Sequence, residues 1–286
     1  MTITSTMTAS TSNIPRGPVE VELNFFEPPT DGGQPIQYAE EPPAGEPAAN
    51  YHRPVIQVTL TDIRGQESQY NLDDHAFQCL PGALSGIPDE IFLSDDQIKA
   101  TFYPKVEQLL LDHVEGAHRV VIFHHAVRMD RHNSPTHCKP LLAVHADQTA
   151  QASAAYVRSH IPDPTDAAAL LGGRYRIINV WKPLNGPVES SPLAFASGNS
   201  VDASDCFPIE LRLASYTSET VGVRYNPGQK WMYWSGMENE DSLLLKCSDS
   251  KHDVPFQVPH SAFADPRSPP GAKPRESIEV RALVFG

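Results

Sequence analysis

Alternation of apolar and polar residues is the strongest pattern along this chain, and it predicts strands. Val19–Leu23 and Val55–Leu60 place apolar side chains at alternate positions, as in strands that bury one face. Because Pro, Gly, Asn and Asp separate many such short runs, the pattern favours a sandwich, barrel or jelly roll. The other predicted strands cover residues 120–123, 141–144, 175–180, 193–196, 209–213, 220–225, 231–234, 243–246 and 278–285.

Three segments predict helices. Ser94 with Gln97 forms a capping-box pattern, and an apolar stripe at helical spacing follows it as far as Val114. Pro104 is expected to kink this helix, and two shorter helices are predicted at residues 153–160 and 164–171. The expected fold class is therefore mainly β with flanking helices.

Composition divides the chain into a tail and one domain. Residues 1–18 are rich in Ser and Thr and predict a disordered N-terminal tail. Residues 19–286 are long enough for a single domain with a sizeable core. Within it, a Pro-rich arm at about residues 28–54 is expected to wrap over the surface, because 27 prolines limit long regular elements.

Charge and cysteine usage narrow the range of partners. A formal net charge of −13 argues against nucleic acid or an anionic membrane, since both attract basic surfaces. No apolar run approaches the roughly 20 residues of a membrane-spanning helix. The four scattered cysteines lack a disulfide framework, and the N-terminus lacks an apolar signal region. Together these features predict a cytoplasmic protein with reduced thiols.

His145 and Asp147 form the sharpest candidate for chemistry. They follow a predicted strand with one residue between them, so the period of two directs both side chains to one face. With a second histidine they would complete a face of two imidazoles and one carboxylate, which suits Fe(II) and leaves three positions open. A hydrogen-bonded structural pair is the alternative for an isolated His-x-Asp pattern.

Two late histidines can supply the missing ligand. His260 lies in an extended segment, whereas His252 lies in a polar loop. Shortly after His260, Arg275 and Ser277 are two residues apart, so a strand would place them on one face, where a guanidinium and a hydroxyl could bind a carboxylate. A surface salt bridge is the alternative for Arg275. A zinc site is the alternative for another group of residues: His124, His125, His132, His137 and Cys138. This group lacks the two-plus-two ligand spacing that is usual in zinc sites.

Taken together, these motifs resemble the Fe(II)/2-oxoglutarate-dependent oxygenases. Within that class the chain is similar to the fungal AsaB-like hydroxylase/desaturase family, which includes relatives of gibberellin desaturase and cephem methoxylase. The similarity runs from about Val19 to Phe285. Its motifs lie at residues 121–128, 145–149, 174–184, 192–194, 225–227, 231–234, 243–250, 259–266 and 275–281.

The resemblance implies a double-stranded β-helix (jelly-roll) core, iron on His145, Asp147 and His260, and the distal carboxylate of 2-oxoglutarate on Arg275 and Ser277. It implies Fe(II), 2-oxoglutarate and O2 as cofactors. The expected reaction removes hydrogen from an unactivated C–H bond of a small natural product, amino-acid-derived substrates included. Hydroxylation, desaturation and oxidative ring closure such as aziridine formation all remain open.

Five residues are candidates for contact with a substrate that bears an anion such as a carboxylate: Arg128, Arg176, Asn179, Trp181 and Lys182. Lys182 departs from the family, which usually has arginine there, and lysine lacks the planar guanidinium fork. The alternative functions are a jelly-roll hydrolase or isomerase with another divalent metal, and a non-catalytic binding sandwich. The sequence indicates no oligomeric state.

Overall fold

The computed structural model of the protein describes residues 14–129 and 140–286, and strands dominate them. The strands are β1 Val19–Asn24, β2 Ile36–Tyr38, β3 Val55–Asp62, β4 Phe77–Leu80, β5 Arg119–Arg128, β6 His145–Ala146, β7 Tyr175–Pro183, β8 Leu193–Ala196, β9 Cys206–Arg212, β10 Thr217–Val223, β11 Trp231–Tyr233, β12 Ser242–Asp249, β13 His260–Ala262 and β14 Ser277–Phe285. The helices are α1 Leu72–His75, α2 Asp95–Gln97, α3 Tyr103–His113, α4 Ala150–His160 and α5 Pro164–Leu171. The expected class, mainly β with flanking helices, is confirmed.

The strands form two sheets that face each other. The larger sheet has nine strands in the order β1-β3-β11-β8-β13-β6-β10-β9-β2. The smaller sheet has five, in the order β4-β12-β7-β14-β5. In the smaller sheet β7 and β14 pair antiparallel along their whole lengths. Apart from the consecutive pair β9 and β10 and the pair β1 and β3, sheet neighbours are distant in sequence, as expected where the chain passes repeatedly from one sheet to the other.

Strand β7 shows why the smaller sheet is buried on both faces. Ile177 and Trp181 belong to the apolar cluster between the sheets, together with Phe195 of β8. Ile178 and Val180 belong to a second cluster, which the apolar side of α3 covers from outside. A strand covered on both faces loses the polar and apolar alternation of a half-exposed strand. This double cover explains why every residue of β7 from Arg176 to Pro183 is buried.

The long helix differs from the prediction in its first turns. Ser94 caps α2 as expected, accepting a hydrogen bond from the Gln97 amide at 3.4 Å. A π-helical turn at Ile98–Phe102 then leads into α3, whose first turn contains Pro104. Pro104 therefore lies directly after a π-helical irregularity, where its missing N–H is accommodated, and the expected kink stays a prediction.

Short strands account for the other differences. The strand predicted at residues 141–144 is replaced by the two-residue β6, which begins at His145. Three strands of three or four residues were not predicted at all: β2, β4 and β13. Such elements have too few positions to show a period, so only their pairing partners define them.

The arm and the end of the predicted tail both contact the domain. Within the arm, β2 pairs in parallel with β9 at the edge of the larger sheet. Arg16, placed by the sequence in the tail, donates to the Ser235 carbonyl oxygen at 2.6 Å. Across the described ranges, none of the helices is both long and apolar enough to cross a bilayer.

Candidate metal centre

Two short strands of the larger sheet bring the three predicted ligands together. His260 begins β13 and lies directly opposite His145 of β6 in the antiparallel register. Asp147 follows two residues after His145, on the same side of the chain. One ligand atom from each of the three residues lies within 4.8 Å of the others. In residues 14–129 and 140–286 this is the single His, Cys, Asp and Glu cluster with metal-binding geometry.

Backbone carbonyls fix the tautomer of both imidazoles. His145 Nδ1 lies 2.8 Å from the Ala143 oxygen, and His260 Nδ1 lies 3.1 Å from the Val258 oxygen. Because a carbonyl only accepts hydrogen bonds, each Nδ1 carries the proton and each Nε2 keeps a free lone pair. This is the arrangement in which metal-ligating histidines are usually held.

The electrostatic environment keeps His145 and Asp147 in their metal-binding protonation states. Burial, followed by the charge of His260, lowers the pKa of His145 to about 4, so its imidazole is neutral at pH 7. Burial would raise the pKa of Asp147, but Arg281, His260 and His145 outweigh it and hold that pKa below its usual range. Neutral imidazole and ionised carboxylate are the forms that bind a divalent cation.

Three further residues surround the Asp147 carboxylate. Asn179 Nδ2 donates to Oδ2 at 2.6 Å, and the Cys247 thiol lies 3.1 Å from the same oxygen. Arg281 Nη2 lies 3.8 Å from Oδ1, and it also binds Glu279 at 2.8 Å. Burial, together with the Asp147 charge, raises the pKa of the Cys247 thiol well above its ordinary value, so it stays protonated.

Arg275 lies in the same cavity and is buried. Its Nη1 donates to the Ser191 carbonyl at 2.7 Å, and its guanidinium lies over the Trp181 ring at 5.4 Å. Its Nε is buried with no hydrogen-bond partner in the part of the chain that the structure describes. Burial and the positive charge of Arg128 lower its pKa to about 10. Ser277, also buried, opens β14 two residues later.

The ligand cluster opens into a cavity of about 310 Å³. His145, Asp147, His260 and Arg275 line it from the two sheets. The arm contributes Gln37, Tyr51 and Arg53 to the opposite wall, where both Tyr51 Oη (2.6 Å) and Arg53 Nη2 (2.8 Å) donate to Gln37 Oε1. The cavity therefore combines a candidate metal face, a buried cation and an adaptable polar wall, as ligand pockets commonly do.

The five candidate substrate residues do not all reach this cavity. Arg128, at the end of β5, and Trp181 line it, whereas Asn179 does not and instead contacts the lining residue Asp147. Arg176 and Lys182 are even-numbered residues of β7, so they share the outer face with Ile178 and Val180 rather than the cavity face.

Both of these cations are bonded elsewhere. Arg176 Nη2 donates to the carbonyl oxygens of Glu115, at 3.0 Å, and of Gly286. Lys182 donates to the Asn239 carbonyl oxygen and lies over the Phe92 ring at 5.9 Å. Because side chains alternate along a strand, Arg176 and Lys182 could not have shared a wall with Asn179 and Trp181.

The alternative ligands within the described residues do not belong to the cluster. His252 is exposed in its loop. His125 is paired instead with Tyr103 Oη at 2.7 Å and with Asp95 at 2.9 Å. Three members of the zinc-type set, His132, His137 and Cys138, lie outside the described residues.

Sequence reasoning missed Cys247, Glu279 and Arg281. The two charged residues could have been found, because the period of two that joins Arg275 to Ser277 continues through Glu279 to Arg281. Cys247 gave no such signal. A single cysteine inside an apolar strand is indistinguishable in sequence from core packing.

Comparisons with known proteins agree with this geometry. A family model described as "Oxidoreductase/YMDC permease-like domain" matches residues 23–285. The hydroxylase/desaturase poxK of Penicillium oxalicum is 35% identical, with 95% of this chain and 92% of that protein covered. The Fe(II)/2-oxoglutarate-dependent dioxygenase nvfI of Aspergillus novofumigatus is 31% identical, with 93% and 96% covered.

A solved structure supports the same relationship. The iron and alpha-ketoglutarate-dependent endoperoxidase NvfI superimposes with a TM-score of 0.85 at 28% identity, covering 95% of this chain and 99% of the other. This match confirms the expected double-stranded β-helix core. Sequence and fold together place the chain: it belongs to the AsaB-like hydroxylase/desaturase family of Fe(II)/2-oxoglutarate-dependent oxygenases.

Proposed function

We propose that His145, Asp147 and His260 hold the Fe(II) of this dioxygenase. The observation that carries the proposal is the convergence of their ligand atoms within 4.8 Å at the base of a cavity. Two imidazoles with fixed tautomers and one ionised carboxylate match the donor set that non-haem Fe(II) oxygenases use. The proposed set covers one face of the ion and leaves the cavity face for other ligands.

We further propose that Arg275, with Ser277, binds the distal carboxylate of 2-oxoglutarate. Arg275 supports this role because a buried guanidinium with an unpartnered Nε still has a donor to give. The Trp181 ring beneath it holds the fork in one orientation. Neither feature would be needed by a jelly-roll hydrolase or isomerase with another metal, which was the alternative function.

The substrate is proposed to be a small molecule that bears an anionic group such as a carboxylate. Arg128 and Trp181 line the cavity beside the proposed iron face and supply a cation and an aromatic surface. Amino-acid-derived compounds fit this description and the cavity volume of about 310 Å³. Hydroxylation, desaturation and ring closure all use the same residues, and the placement of the substrate C–H bond selects among them.

The roles of the chain follow from these positions. With O2, the bound iron and 2-oxoglutarate supply the oxidation of a C–H bond, coupled to decarboxylation of 2-oxoglutarate to succinate. The protein holds the ligand set, orients the cosubstrate through Arg275, and excludes bulk water with the arm residues Tyr51 and Arg53.

A cytoplasmic location is proposed as well. Cys79, Cys206 and Cys247 are free thiols, and burial raises the pKa of Cys206 to about 11. Free, protonated thiols are typical of a reducing compartment. The net charge of −13 further supports a small-molecule partner over nucleic acid.

Succinate formation tests the proposal directly. The purified protein would be supplied with Fe(II), 2-oxoglutarate and a panel of amino acids and small peptides, with and without O2. We expect O2-dependent succinate that is stimulated by some panel members and is absent in His145→Ala. The matched control is His252→Ala, which removes an exposed histidine of the same type.

Binding of 2-oxoglutarate would be measured in parallel without O2. Chelation of the cosubstrate to Fe(II) produces a visible absorption band, and we expect this band in the wild type but not in His145→Ala. A folded wild-type protein that forms neither the band nor succinate would contradict the proposed iron site.

A further inference from the structure

The two oxygens of the Asp147 carboxylate have different surroundings. Oδ2 accepts from Asn179 Nδ2 at 2.6 Å and from Cys247 Sγ at 3.1 Å. Oδ1 lies 3.7 Å from His145 Nε2 and 3.8 Å from Arg281 Nη2, both beyond hydrogen-bond distance. One oxygen is therefore held by two donors, while the other is close to the imidazole that shares the candidate metal face.

From this asymmetry we infer that Asn179 and Cys247 are positioning residues, which hold Oδ2 of Asp147 and present Oδ1 alone to the metal. The inference rests on the proposed iron site and adds the two residues that orient its carboxylate. A carboxylate oxygen offers about two lone-pair sites, and the two donors occupy both on Oδ2.

Binding of the Asp147 carboxylate through a single oxygen matters because Fe(II) has few coordination positions. Two imidazoles and one carboxylate oxygen fill three of the six positions of octahedral Fe(II). A chelating cosubstrate needs two of the remaining three, so one is left for O2. A carboxylate that bound through both oxygens would take that last position. Holding Oδ2 away from the metal therefore keeps the site reactive.

The two donors come from the opposite sheet, which makes the arrangement part of the fold. Asn179 lies in β7 and Cys247 in β12, neighbouring strands of the five-stranded sheet. Asp147 follows β6 of the nine-stranded sheet. Asn179 and Cys247 are fully buried. Because a carboxylate cannot donate, the contact also fixes the Asn179 amide with its nitrogen towards Asp147.

The charged neighbours complete the description of this carboxylate. Arg281 approaches Oδ1 but is itself bound to Glu279 through Nε at 2.9 Å and Nη2 at 2.8 Å. Its charge is thus shared between two carboxylates. Arg281 favours the ionised form of Asp147 without occupying Oδ1, so that oxygen stays available to a cation.

Cobalt titration of the apoprotein tests the inference without relying on turnover. Co(II) replaces Fe(II) in such sites, and its visible absorption spectrum reports coordination number. We expect Asn179→Ala to weaken Co(II) binding about 10- to 100-fold and to alter the spectrum, as loss of a residue supporting a metal ligand usually does. Cys247→Ala should have a smaller effect in the same direction, about 3- to 10-fold, because a thiol is a weak donor.

Conservative variants separate positioning from packing. Cys247→Ser keeps a donor of similar size and should restore the wild-type spectrum. Cys79→Ala is the matched control, since it removes another buried thiol, on β4, that has no contact with Asp147. It should leave Co(II) affinity and spectrum unchanged. If Asn179→Ala does not fold, the Cys247 pair decides the question alone.

Three outcomes overturn the inference. Wild-type protein that fails to bind Co(II) overturns it together with the proposed iron site. Normal wild-type binding with unchanged affinity and spectrum in Asn179→Ala and Cys247→Ala overturns the inference only. An intense sulfur-to-cobalt band that disappears in Cys247→Ala would make Cys247 a ligand, which also overturns its role as a donor to Oδ2.

Discussion

Two clusters of charge that lie buried among the described residues differ in whether the protein alone completes them. In the first, Asp249 accepts from Arg174 Nη2 at 2.6 Å and from Lys246 Nζ at 2.9 Å, and Arg174 also binds Asp73. In the second, Asp147 meets two imidazoles at the base of a cavity. The first cluster is closed by its own ion pairs, whereas the second presents ligand atoms to an open space.

The comparison shows that a perturbed pKa does not by itself mark a functional site. Burial opposes ionisation of both Asp147 and Asp249, yet neighbouring cations hold the pKa of each below its usual range. Structural ion-pair networks and active sites produce the same signature. What separates the two is the presence of metal-ligand atoms with free lone pairs beside a cavity.

Loss of a ligand histidine should show the largest effect. His260→Ala removes one imidazole from the open cluster, and we expect succinate formation to fall by at least about 1000-fold, on the order of 4 kcal/mol in activation free energy. Some loss of thermal stability is also expected, because His260 is buried and its Nδ1 donates to the Val258 carbonyl oxygen, but the variant should still fold. Steady-state kinetics and thermal melting measure the two quantities.

His252→Ala is the control for this variant, and it should retain wild-type activity. Activity in His260→Ala that stays within tenfold of wild type would show that the open cluster does not bind the metal. The distinction between the two clusters would then be lost.

Disruption of the closed cluster should lower the stability of the fold rather than the binding of Fe(II) and 2-oxoglutarate. Asp249→Ala leaves Lys246 buried without its carboxylate, and breaking a buried pair in this way costs about 3–5 kcal/mol. We therefore expect a large drop in the free energy of unfolding, measured by urea titration. Fe(II) and 2-oxoglutarate binding should persist in the fraction that remains folded.

Asp253→Ala is a matched control, since Asp253 is exposed and lies 3.8 Å from Lys251 at the edge of the same cluster. An exposed pair contributes about 0–1 kcal/mol, so the control should unfold nearly as the wild type does. Equal costs for Asp249→Ala and Asp253→Ala would contradict the idea that the closed cluster stabilises the fold.

How much of the difference between the two clusters can be predicted from the sequence depends on how many residues a pattern spans. His-x-Asp and Arg-x-Ser are short enough for the period of a strand to decide which side chains share a face, and the predicted ligands do converge. The same period, applied to β7, would have excluded Arg176 and Lys182 from the cavity. Side-chain alternation thus identified the ligand face correctly, but it was not applied to β7, where it would have separated the cavity face from the outer face.

Other features depend on pairings that no local pattern encodes. That His260 lies opposite His145 follows from the register of two strands of two and three residues. The contact between Cys247 and Asp147 joins residues 100 positions apart in different sheets. Family resemblance supplied the first of these pairings. The second required the folded structure, because neighbouring chain positions carry no trace of it.

Arg275 shares a feature with each cluster: it is buried like the closed cluster and, like the open one, keeps a polar group without a protein partner among the described residues. Arg275→Lys keeps the charge and loses the planar fork. We expect the affinity for 2-oxoglutarate, measured by anaerobic titration, to fall about 10- to 100-fold through loss of charge-assisted hydrogen bonds. Fe(II) affinity should be unchanged.

Arg119→Lys is the control for this substitution, because Arg119 forms a half-exposed pair with Asp166 and neither residue lines the cavity. It should bind 2-oxoglutarate as the wild type does. Unaltered cosubstrate affinity in Arg275→Lys would assign the 2-oxoglutarate carboxylate to a different cation.

The smallest expected effect concerns Lys182, a buried cation that donates to a main-chain carbonyl oxygen. Burial lowers its pKa from 10.5 to about 8. Between these values the unfolded chain binds more protons than the folded one, so wild-type stability rises with pH across this window. Below pH 8 both states are protonated and the cost of burying the charge is present in full.

The variant Lys182→Met lacks this titration. Between pH 7 and pH 10.5 we therefore expect the unfolding free energy of the wild type to rise by about 1–3 kcal/mol relative to that of Lys182→Met. Urea unfolding at several pH values measures it, with Lys105→Met on the exposed side of α3 as the matched control. Parallel pH profiles for wild type and Lys182→Met would mean that Lys182 is solvated when folded. There would then be no burial cost to offset, whereas Lys246 is buried and paired with Asp249.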